Sequence, residues 1–194
     1  MEEKQYIQAI CEIVDSVGPI LEDMRRCIFT DDKKCLEEAE KMLRASLRSS
    51  LPLAEELAGK REKSMLELKF LTVLPYLQKL GIEIGDLLGV STIKIDSSIP
   101  FTEKALKEIK DVILGTEGLA RDTKDFFLTK NPHLSQQIQS DVSKLYRMAD
   151  DFSVEHQDRL IKGLCSPKAS YIYLEMMVSL KRAMCQLASL SEKA

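Results

Sequence analysis

The chain contains no tryptophan and only 8 glycines and 6 prolines in 194 residues. A β-rich protein of this length needs many turns, and turns draw heavily on glycine and proline. Their scarcity points to helices. Histidine is equally sparse, with only His133 and His156. No Cys-x-x-Cys or His-x-x-x-His spacing occurs, so no zinc-type ligand set is legible. Neither a glycine-rich phosphate cradle nor a nucleophile elbow is present, which leaves nucleotide-loop and serine-hydrolase chemistry without support.

An excess of one charge is also missing. The formal net charge is −3, with acids and bases interspersed. That balance leaves no electrostatic footprint for nucleic acid or an anionic membrane. The opening MEEKQYIQAI begins with acids and lacks the basic-then-apolar order of a signal peptide. With no membrane-inserting run either, the cytoplasm is the expected location. The five cysteines, Cys11, Cys27, Cys35, Cys165 and Cys185, are odd in number and irregularly spaced. Reduced thiols acting as small buried apolar groups are expected, although Cys27 and Cys35 flank a predicted turn.

What remains is 44% hydrophobic and 30% charged residues, enough for one domain with a sizeable core. The organising stretch is Leu66 to Ile95. Leu68, Leu71, Leu74, Leu77, Leu80, Ile84, Leu87 and Leu88 recur at helical steps. Phe70, Val73, Ile82 and Val90 fill much of the opposite side, so neighbours should cover this helix on most faces. Spanning a bilayer would take about 20 mainly apolar residues. Lys69, Gln78, Lys79, Glu83 and Asp86 interrupt the run too often for that.

Before this central helix, a first helix is expected from about Lys4 to Ile28, kinked at Gly18-Pro19. A second follows the Asp31-Asp32 turn, bends at Ser49-Ser50-Leu51-Pro52 and stops near Gly59. After it, Thr102, Asn131-Pro132 and Ser166-Pro167 read as helix caps. They open a fourth, a fifth and a sixth helix. The expected fold class is all-α, a six-helix antiparallel bundle.

The halves look like one three-helix unit used twice, residues 1–96 and 97–194. QYIQAICEIVDS lies over FTEKALKEIKDV, matching Ala9 with Ala105, Glu12 with Glu108 and Ile13 with Ile109. LQKLGIEIGDL lies over LKRAMCQLASL, which should place the third and sixth helices together at the centre.

PFTEKALKEIKDVI, KNPHLSQQIQSDVSKLYR and KASYIYLEMMVSLKRAMCQLASL, taken in that order, resemble the last three helices of the PhoU family. That resemblance implies two three-helix repeats and regulation of phosphate uptake by protein contact, with a phosphate transporter or a signalling kinase as partner. It also implies an acid-x-x-x-Asp metal motif on the third helix of each repeat, because acids at i and i+4 share a helical face. Here the aligned positions are Gln78 and Ile82, then Lys181 and Cys185. No carboxylate stands at any of them, so no metal and no cofactor is expected.

Three further candidates can be read from residue patterns. Gly81, Gly85 and Gly89 share a face, which suits close helix approach or, as the rival reading, a groove for a small ligand. Asp150, Asp151, Glu155 and His156 cluster in sequence, but a solvated charged face explains them and no enzyme is expected. Tyr171, Tyr173, Met176 and Met177 on the sixth helix offer a partner surface or a homodimer contact.

Overall fold

The computed structural model describes residues 3–49 and 51–193, and helices account for nearly all of them. They are α1 (Glu3–Thr30), α2 (Lys33–Ser49), α3 (Leu51–Gly59), α4 (Met65–Asp96), α5 (Glu103–Thr129), α6 (Pro132–Ile161) and α7 (Pro167–Lys193). The second expected helix is thus the pair α2 and α3, on either side of residue 50, which lies outside the described residues. Counted so, the bundle has the six helices expected, and no strand occurs among the described residues.

Local chemistry sets the boundaries. Ser64 caps α4 in a capping box, its side chain accepting from the Glu67 amide while the Glu67 carboxylate takes the Ser64 amide. The Thr102 hydroxyl accepts from the Ala105 amide at 3.2 Å to open α5. Asn131 caps α6 ahead of Pro132, and Ser166 accepts from the Ala169 amide at 3.2 Å ahead of Pro167. Gly163, with φ of 69°, supplies the left-handed turn after α6. The interior prolines act differently. α1 passes through Pro19 and α4 through Pro75 without a break in the assigned helix.

α4 packs against α7 more extensively than any other pair of helices, with α1 and α2 also against α4. Leu77, Leu80, Ile84, Leu87 and Leu88 meet Leu180, Ala183, Met184 and Leu187 in one continuous core. As expected, neighbours cover α4 on most faces, and one stripe is left open. Leu68, Thr72, Pro75, Lys79, Ile82, Asp86, Gly89 and Ile93 form an exposed stripe at helical spacing, with Ile82 59% accessible. Among the described residues no helix packs against that edge of the bundle, so apolar residues on it stay in solvent.

The cysteine expectation also fails in part. Cys27 and Cys35 form a disulfide, their Cα atoms 5.7 Å apart across the α1–α2 turn. That turn brings the two helix ends within bridging range. Cys11, Cys165 and Cys185 are free.

Candidate functional site

The densest polar chemistry is buried where α5, α6 and α7 meet. Glu108 of α5, 3% accessible, receives both arms of Arg159, with Nη1 at 2.9 Å and Nη2 at 2.6 Å. Tyr173 of α7 donates its hydroxyl to the same carboxylate at 2.7 Å. Arg159 Nη2 also donates to His156 Nδ1 at 3.0 Å, and His156 Nε2 lies 3.1 Å from Ser170 Oγ. A forked guanidinium on a carboxylate is the strong form of a buried ion pair. Only the Arg159 Nε is left buried without a partner in this network.

Electrostatics follow from that packing. Burial and then the Arg159 guanidinium push His156 down to about 4, against the opposing pull of Glu108. The Tyr173 phenol moves strongly upward, through burial and then its bond to Glu108. At neutral pH the imidazole is therefore uncharged and the tyrosine keeps its proton.

A second buried carboxylate sits at the opposite end of the bundle. Glu67, 2% accessible, accepts from Lys60 at 2.5 Å, from the Ser64 amide at 2.7 Å and from the Tyr6 hydroxyl at 3.2 Å. The Lys60 ammonium and the Ser64 amide hold its carboxyl at about 2. Tyr6 is pushed up to about 12 by burial and then by Glu67. Beside it lies a cavity of about 500 Å³ walled by Tyr6, Ile7, Leu66, Phe70, Phe126 and Phe127, with Lys69 and Lys130 among its lining residues.

The acid cluster read from the sequence does not assemble. Asp151 is exposed, Glu155 pairs with Lys104 at 2.6 Å, and Asp150 pairs with Lys181 at 2.5 Å. His156 turns the other way, into the core. Neighbours in sequence point about 100° apart around a helix, which separates Glu155 from His156. His133 is exposed at the start of α6.

The four positions aligned with the metal motif face outward or are already paired. Gln78, Ile82 and Cys185 are exposed, while Lys181 bonds Asp150 and lies 5.1 Å from the Tyr146 ring centroid. At Gly81 a Cβ would come within 2.6 Å of Leu47 of α2, and at Gly85 within 3.7 Å of Leu43. Leucines of α2 occupy the space over those two glycines, while Gly89 faces open space. The partner surface on α7 is corrected as well. Tyr173, Met176 and Met177 are wholly buried within the chain, and only Tyr171 is exposed. Their spacing places the three on the α7 face that meets the core.

The Glu108 network was hidden from sequence reasoning, yet one signal was available. His156 lies four residues after Phe152 and seven after Ala149, on the apolar stripe of α6. Glu108 likewise falls three after Ala105 and four before Val112, on the stripe of α5. Polar residues at core register predict a buried pair, and only the fold tells which residues meet.

No family model matches the sequence, and no curated protein does. Among solved structures, the chain is similar to the crystal structure of the phosphate transport system regulatory protein PhoU from Streptococcus pneumoniae. The TM-score is 0.79 over 99% of this chain and 92% of that one, at 13% identity. The fold is therefore PhoU-like. No helix among the described residues is long and apolar enough to cross a membrane.

Proposed function

We propose that this chain is a helical regulatory protein, not an enzyme, that acts by contact with a protein partner in phosphate transport or phosphate signalling. The observation that carries the reading is the likeness to a phosphate transport regulator along 99% of the chain. The exposed stripe of α4 supports it, since Leu68, Ile82 and Ile93 present apolar side chains to solvent along one edge. On this reading residues 1–96 and 97–194 are two copies of one three-helix unit. The partner is a transporter subunit or a signalling kinase, and a homodimer through the same stripe is the competing occupant.

Gene disruption in the source organism tests the role. Phosphate uptake should depart from that of the parent, and Ile82→Glu should reproduce part of the change. Unchanged uptake after disruption would remove the phosphate assignment. Light scattering of the purified chain separates the occupants, because a dimer that Ile82→Glu dissociates assigns the stripe to self-association.

A cytoplasmic location belongs to the same proposal. The Cys27–Cys35 disulfide is the strongest argument against it, because cytosolic thiols are mostly kept reduced. Alkylation at the moment of lysis, followed by mass analysis, decides the matter. A bridge found intact in freshly lysed cells would favour an oxidising compartment.

A further inference from the structure

The cavity of about 500 Å³ beside Glu67 is walled by α1, α4 and α5. Tyr6 and Ile10 of α1, Phe70 and Val73 of α4, and Phe127 of α5 form its deep wall, and all five are nearly inaccessible. Aromatic rings dominate that wall. Tyr6 and Phe70 have ring centroids 5.1 Å apart with planes tilted by 41°, while Phe126 meets Phe127 edge-on at 5.5 Å. The one side-chain hydroxyl of the deep wall, on Tyr6, already donates to Glu67 at 3.2 Å. The interior therefore suits an apolar chain better than a sugar or a base, whose several polar atoms would find few partners.

The rim has the opposite character. Met65, Lys69 and Lys130 are exposed there. Lys130 is the left-handed C-cap of α5, with φ of 53°, and its amide donates to the Phe126 carbonyl at 2.7 Å. That bond fixes the lysine backbone beside the two phenylalanines of the wall. Among the described lining residues the charged ones are Lys69 and Lys130, and no carboxylate stands with them. Glu67 lies outside the lining, and Lys60 balances its charge at 2.5 Å. An ammonium carries three N–H donors, so each rim lysine can take an anion alongside the contact it already makes.

We propose that this recess binds a free single-chain carboxylic acid of medium length, its tail against the deep wall and its carboxylate at Lys69 and Lys130. The volume falls within the range of small-molecule sites, about 300–1,000 Å³. A flexible aliphatic tail conforms to rings set at different angles, whereas a flat cofactor needs parallel faces to stack between. The two rim ammonium groups select the head, since a carboxylate meets opposite charge there and a cationic head meets like charge. The phosphate reading does not require this site, so the two stand or fall separately.

The test is calorimetric titration of the full chain at neutral pH with decanoate, hexanoate and decyltrimethylammonium, each below its micelle concentration. Decanoate should bind one to one. Hexanoate should bind at least about tenfold more weakly, because four fewer methylenes are buried. Decyltrimethylammonium, with the same tail and the opposite head, should also lose about tenfold or more. These comparisons use the parent alone, so a misfolded variant does not block them. Lys69→Gln with Lys130→Gln, two changes at exposed positions, should weaken decanoate by about tenfold and leave the cation no weaker. Methyl NMR should place the decanoate shifts at Ile10 and Val73, and Ile82→Glu on the exposed α4 stripe should leave the affinity unchanged. No one-to-one binding of decanoate, a cation bound as tightly, or shifts on the α4 stripe in place of Ile10 and Val73 would each overturn the proposal.

Discussion

The imidazole of His156 lies flat against the phenol of Tyr173, ring centroids 3.9 Å apart and planes within 9° of parallel. Stacking on one face and the Arg159 guanidinium at Nδ1 leave the ring no room for a second positive charge. Folded His156 takes up a proton only near pH 4, whereas an unfolded histidine does so near 6.5. Between those values the unfolded chain binds the extra proton, so stability must fall as the pH drops through that window. The full loss is on the order of 3 kcal/mol as an upper bound. Denaturant titrations at pH 7 and pH 5 should show part of it, and NMR should find His156 neutral at pH 5. A ring that titrates near 6.5 in the folded protein would end this account.

The Glu108–Arg159 pair offers a sharper contrast. Removing one partner strands a buried charge, which costs about 3–5 kcal/mol. Glu108→Leu should therefore lower the unfolding free energy severely, and it also leaves the Tyr173 hydroxyl without its acceptor. Removing both charges together, as Glu108→Leu with Arg159→Met, should cost clearly less than Glu108→Leu alone. A double variant as damaged as the sum of the two singles would mean that the groups contribute independently.

Those two residues also mark where sequence reading stops. Helix caps such as Thr102, Asn131 and Ser166 are local, and their neighbours within three residues decide them. The core stripe of α4 was legible for the same reason, because periodicity is carried by the chain itself. The exposed edge at Leu68 and Ile82 was not legible, since cover depends on which helices are present to pack there. Cys27 and Cys35 show the same limit. Their turn was readable, but the 5.7 Å approach that permits bridging depends on the angle between α1 and α2. Glu108, Arg159 and Tyr173 come from three separate helices, and no spacing rule joins them.

The Cys27–Cys35 bridge closes a short loop, with the two cysteines 8 residues apart. Chain-entropy reasoning assigns such a loop about 2–3 kcal/mol. Reduction should lower the unfolding midpoint accordingly, and Cys35→Ser should match the reduced parent. Thiol titration of the denatured, unreduced chain should find three free cysteines, Cys11, Cys165 and Cys185. Five would show that the bridge does not form in solution.

The last expectation concerns metal, where the chain parts from the motif its resemblance implies. A hard cation needs several oxygen ligands that supply both charge and geometry. Gln78 and Ile82 stand exposed on α4, and Cys185 on α7 offers a single thiol that burial pushes up. At the fourth position the Lys181 ammonium already neutralises Asp150, at 2.5 Å, in the place of an external cation. Nearby Glu83 faces Arg182 at 3.8 Å without a hydrogen bond, and burial pushes its carboxyl up, which disfavours the ionised form a cation needs. The dialysed, untagged protein should therefore carry well under one metal ion per chain by elemental analysis. Gln78→Glu with Ile82→Asp and Lys181→Glu with Cys185→Asp would place acids at i and i+4 on both helices. That variant should take up manganese in a calorimeter where the parent gives no heat. Stoichiometric metal in the parent would mean that Glu83 and Asp86, or Asp151 and Glu155, rearrange to bind it.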